Sequence, residues 1–61
     1  RDVLRIEVSE GQEVAEGDVL LVVEAMKMET EVKSPKAGTI QSILVSQGDK
    51  VVTGQAMIVL G

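Results

Sequence analysis

Residues Gly11–Val23 read GQEVAEGDVLLVV, and residues Gly48–Leu60 read GDKVVTGQAMIVL. At a constant offset of 37 residues, Gly11 falls on Gly48, Val14 on Val51 and Gly17 on Gly54. Leu20, Leu21, Val22 and Val23 fall on Met57, Ile58, Val59 and Leu60. The offset also runs backwards, placing Val3 on Ile40, Ile6 on Ile43 and Val8 on Val45. Agreement of this extent without a gap is a repeat, and a repeat has to be read before any local pattern. Two copies are too few for a solenoid. The expectation is therefore one domain, residues 1–61, with pseudo-two-fold symmetry.

Each copy follows the same order. An opening strand (VLRIEV from Val3, IQSILV from Ile40) leads into a glycine turn and a short apolar segment around Val14 or Val51. A second glycine turn then leads into a closing apolar strand, VLLVV or AMIVL. Glycine supplies the positive φ that such turns need. The closing strands are apolar at both parities, as expected for strands at least partly buried on both faces. Ile6/Val8 and Ile43/Val45 keep a period of two, but Val3 and Ile40 stand three residues ahead of Ile6 and Ile43, which predicts a bend or bulge in each opening strand. No stretch shows helical periodicity, and turn signals recur roughly every eight to twelve residues, the spacing of all-β folds. The predicted fold is a small, flattened all-β barrel-sandwich of two pseudo-symmetric four-stranded halves, unless the first strand is missing.

Composition narrows the function. The chain has 61 residues, no Cys, no His, no aromatic residue and a net charge of −4. Without His or Cys the commonest metal ligands and general base are missing, and the serines have no imidazole to activate them. Neither a catalytic residue nor a metal site is expected. The negative charge and the lack of aromatics disfavour nucleic acid as a partner. No apolar run is long enough for a membrane span, so direct membrane insertion is not expected either. Opening on Arg1 rather than Met, the chain reads as a piece of a longer protein.

One segment has no counterpart in the repeat. Residues 25–37, AMKMETEVKSPKA, link the copies. Met28, Thr30 and Val32 alternate with Glu29, Glu31 and Lys33, which predicts a strand with one apolar and one charged face. The preceding strand must therefore reverse near Met26-Lys27. A two-residue reversal favours a type I′ turn with positive φ at both central residues, a place normally taken by Asn-Gly. Met-Lys suits that geometry poorly, which points to selection for something other than stability. The repeat also places Glu24 on Gly61, so the hairpin and the C-terminal residue should lie at opposite ends. Plainer readings exist. Lys27 could be a solvated charge, Met26 and Met28 fillers of a core without aromatics, and Glu24 and Glu29 its exposed ion-pair partners.

The pentapeptide EAMKM, Glu24 to Met28, resembles the biotin-attachment signature of the biotinyl (biotin carboxyl carrier) domains of biotin-dependent carboxylases and decarboxylases. The likeness continues through GQEVAEGDVL (Gly11–Leu20), SPKAGTI (Ser34–Ile40) and VSQGDKVVTGQ (Val45–Gln55), so it covers nearly the whole chain in one frame. It implies that a biotin protein ligase joins biotin to the ε-amine of Lys27 as an amide. Met26 and Met28 would flank the site for recognition, with Glu24 and Ala25 completing the motif. The family role is to carry CO₂ as carboxybiotin between biotin carboxylase and carboxyltransferase or decarboxylase sites, the domain itself making no bonds. The implied location is the cytoplasm, or the mitochondrial matrix or a plastid in a eukaryote.

Three departures matter. Lipoyl domains share the fold but carry Asp-Lys at the tip, so Met26 favours biotin over a lipoyl carrier of a 2-oxoacid dehydrogenase. EVSEGQEV and LVSQGDKV align without insertion, so the domain resembles the thumbless type. METEVKSPKA should, by the repeat, have a counterpart upstream of Arg1, which is the first strand in the family. An unmodified structural module is the remaining alternative.

Overall fold

The computed structural model describes residues 1–52 and 54–61. Among these it contains six strands and no helix: β1 Asp2–Ile6, β2 Glu13–Val14, β3 Val19–Ala25, β4 Met28–Lys33, β5 Gly38–Ile43 and β6 Ile58–Leu60. They form two antiparallel sheets ordered β1-β3-β4 and β2-β5-β6. The molecule is elongated, 31 × 19 × 18 Å.

The pseudo-dyad is visible bond by bond. The register slips between Val3 and Arg5 in β1 and between Ile40 and Ser42 in β5, the two bulges expected from the apolar spacing. Gly11 N–H donates to Ile40 O at 2.7 Å, and Gly48 N–H donates to Val3 O at 2.7 Å. Each copy thus clamps the opening strand of the other, which makes the halves interlock.

Side chains reinforce the turns in a way the glycines alone did not suggest. Gln12 Oε1 accepts from Ser9 N–H, Asp18 Oδ2 from Ala15 N–H, Asp49 Oδ2 from Ser46 N–H and Gln55 Oε1 from Val52 N–H, all at 2.8–3.1 Å. The glycines just before these four residues have φ between +86° and +88°. That conformation is open to glycine and costs an L-residue about 1–2 kcal/mol. A Cβ on Gly48 would meet nothing within 4 Å. Gly48→Val is therefore expected to lose at least ~1–2 kcal/mol through the backbone alone, and urea unfolding would measure it.

The core consists of two dyad-related clusters. Val3, Leu21, Val23, Val45 and Val51 form one; Val8, Val14, Leu20 and Ile40 form the other. The two halves are unequal among the described residues. Among the described residues, the segment around Val51 adds only a single bridge, Lys50 to Asp2, beside β1, and nothing pairs with the outer edge of β6. The closing strands also differ. Leu20 to Val23 are buried as expected, whereas Val59 is 38% exposed and Met57, Ile58 and Leu60 are only partly covered. β3 has a neighbour on each side and β6 on one, so equal sequences reach unequal burial.

Candidate functional site

Strands β3 and β4 pair from Val19/Lys33 up to Ala25/Met28, leaving Met26 and Lys27 as a two-residue tip. Their φ values are +53° and +66°. Both residues of a type I′ reversal therefore adopt the left-handed region without being glycine, as the sequence predicts. Among the described residues they are the only non-glycine positions that do so.

Chemically, the tip is an amine on a stiff, strained bend. Lys27 is exposed, and no carboxylate lies within ion-pair distance of it among the described residues. Met26 is 95% exposed and Met28 69% exposed, so neither fills the core. Met57, by contrast, packs against the first core cluster. The expected apolar face of β4 is also narrower than its alternation suggested. Val32 alone packs inward, because Met28 and Thr30 lie where the hairpin has run beyond the core. Placing two thioether side chains in water has no benefit for folding.

Below the tip, the cross-strand register aligns Asp2, Glu24 and Glu29 on one rung. Like charges facing one another across a sheet are unfavourable. Arg5 Nη1 lies 3.8 Å from Glu29 Oε1 and partly offsets this, and Arg5 Nε is 3.4 Å from Glu7 Oε2. Glu29 therefore pairs with Arg5 rather than with Lys27. Ala25 is half-buried beneath the turn, and Glu24 is exposed. Sequence reading had not singled out Asp2 or Arg5, since only the register of β1 on β3 brings them here.

The far end of the molecule is set by β4, whose six residues carry the chain away from the tip. At about 3.3 Å per residue this is ~20 Å. The crossover that follows is pinned by buried Ser34, whose Oγ donates to Lys36 O and whose N–H donates to Asp18 O. Gly61 then lies against Gly38 and Thr39 at that far end, opposite Lys27. Replacing the tip by Met26→Asn with Lys27→Gly should relieve the strain and stabilise the fold by about 1–2 kcal/mol. A thermal melt of this variant would check it.

Comparison with known proteins agrees with this geometry. Residues 1–60 match the family model described as "Biotin-requiring enzyme". The chain is 41% identical over 58 residues to the "Biotinylated protein TB7.3 homolog" of Mycobacterium leprae, covering 95% of this chain and 82% of that one. It is also 41% identical over 56 residues to pyruvate carboxylase of Staphylococcus aureus, covering 92% of this chain but 5% of the enzyme. Among solved structures, a single-chain, multi-domain long-chain acyl-CoA carboxylase superposes with a TM-score of 0.87 at 33% identity, over 93% of this chain and 6% of that one.

Proposed function

This chain belongs to the biotin-requiring enzyme family, and we propose that Lys27 is the residue through which it holds biotin. It is a biotin carboxyl carrier domain with covalently bound biotin as its cofactor. The observation that carries the assignment to Lys27 is the exposed amine on a positive-φ tip flanked by two solvent-facing methionines.

The residues fit the group in three ways. The amine is unpaired among the described residues and exposed, so a ligase active site can reach it. An alkylammonium ion has no lone pair, so the ligase must remove a proton before acyl transfer, and exposure gives the ligase's own groups access to the amine. The rigid hairpin then fixes where the attached arm begins. Once bound, biotin supplies a ureido nitrogen able to carry a carboxyl group. Met26 and Met28 offer the ligase an apolar handle on either side of the amine, and Glu24 and Ala25 set the height of the tip above the sheet.

Because the chain spans only about a twentieth of the carboxylases it matches, the wider role is part of the same proposal. The domain contributes tethering and local concentration to carboxylase and carboxyltransferase or decarboxylase sites, and no catalytic group of its own. Its proposed location is the compartment of such enzymes, cytoplasmic or within an organelle.

Intact-mass spectrometry after incubation with biotin protein ligase, ATP and biotin tests the assignment. One biotin mass is expected on the unaltered chain and none on Lys27→Arg. Biotin found on Lys33, Lys36 or Lys50 would refute the site, and incorporation of lipoate instead would move the domain to the lipoyl class.

A further inference from the structure

Sulfur is scarce in this chain and unevenly placed. The sequence has no Cys, no His and no aromatic residue, so its methionines are the side chains most readily oxidised. Met57 is partly covered and packs against the first core cluster. The other two thioethers are Met26, 95% exposed, and Met28, 69% exposed. Both solvent-facing sulfurs therefore flank one amine, that of Lys27.

Position sets what oxidation there can do. Ala25 and Met28 close the β3-β4 ladder, and Met26 stands in the turn beyond it. Neither Met26 nor Met28 belongs to a core cluster, so a change of polarity at either leaves the packing below intact. Methionine sulfoxide puts a polar, chiral group where a flexible apolar one had been. Its oxygen is a hydrogen-bond acceptor that has to be desolvated, without a partner, wherever the thioether had met an apolar surface.

We propose that Met26 and Met28 form a reversible oxidation site for two-electron oxidants of the peroxide class, and that its oxidation closes Lys27 to the ligase while leaving the fold in place. The inference rests on the reading of Lys27 as the biotin residue, with the two methionines as the ligase's apolar handle. In the forward step the thioether sulfur gives an electron pair to one oxygen of hydrogen peroxide. The O–O bond breaks, an S–O bond forms, and the second oxygen leaves as water with both peroxide protons. The sulfur is oxidised and the peroxide reduced. In the return step a methionine sulfoxide reductase takes two electrons from a pair of thiols, which become a disulfide, and the sulfoxide oxygen leaves as water. The chain has no thiol of its own, so the reductant is the enzyme's, and exposure at the tip lets it reach both sulfoxides.

Limited hydrogen peroxide treatment, followed by removal of the peroxide and peptide mass mapping, tests the site. Met26 and Met28 are expected to gain one oxygen each before Met57 does, with the melting temperature moving by no more than about 4 °C. Incorporation with biotin protein ligase, ATP and biotin should then slow at least about tenfold. Methionine sulfoxide reductase with a dithiol should restore it. A Met26→Leu, Met28→Leu variant keeps apolar flanks without thioethers, and its rate, whatever it is beforehand, should not respond to peroxide. The response should persist in Met57→Leu, a substitution close in volume. Equal rates for the untreated chain and the chain carrying both sulfoxides overturn the inference and leave the biotin reading standing. So does oxidation of Met57 first, a peroxide response in the double-leucine variant, or a slowing that disappears in Met57→Leu and so traces to the core. No biotin on the untreated chain would fail the biotin reading itself, and this inference with it.

Discussion

Exchanging the two tip residues, Met26→Lys together with Lys27→Met, is expected to slow biotin incorporation about 100-fold or more while shifting the melting temperature by no more than about 4 °C. The exchange preserves composition, charge and the number of strained residues, since both positions have positive φ. What changes is the origin of the amine, displaced by one residue, or about 3.8 Å along the chain. The two tip residues also project differently from the turn. A ligase that reads the tip by geometry must then present activated biotin to a nucleophile in the wrong place, and misplacements of about 1 Å already cost up to ~10²-fold. Stability is barely involved, because exposed substitutions usually stay within about 0.5 kcal/mol. An unchanged rate would mean that the ligase follows any exposed lysine, and the strained bend would have lost its explanation.

Leu21→Ala is expected to unfold most of the population at 37 °C. Leu21 is 0% exposed at the centre of the first core cluster, with β1 on one side and β4 on the other. Truncating such a leucine costs about 2–5 kcal/mol, against a net stability of roughly 3–5 kcal/mol for a core of this size. Its dyad mate Ile58 is only partly buried beside the open edge. Ile58→Ala should therefore cost less than half as much. Equal losses in urea unfolding would contradict the asymmetry between the two halves.

Much of this was legible in the chain of letters. The offset repeat located the irregularity in each opening strand and all four positive-φ glycines, because identical apolar spacing requires similar backbone paths. The reversal at Met26-Lys27 was legible for a related reason. β3 and β4 are each apolar or alternating up to that point, leaving two residues to make the turn. The motif Glu24–Met28 then added what geometry could not, the identity of the group proposed for Lys27. Less was legible about β4. Met28, Thr30 and Val32 share a face by parity, yet only Val32 reaches the core, since alternation does not show where a hairpin outruns the body beneath it.

The sequence by itself determined the symmetry, the strand order within each copy and the residue at the tip, because these depend on spacing along the chain. Tertiary structure alone decided the rest. Arg5 sits on Glu29, Asp2 joins Glu24 below the tip, and Leu21 is sealed while Ile58 is not. Each of these turns on which strand lies beside which, and burial follows neighbours in space that two nearly equal sequences do not share.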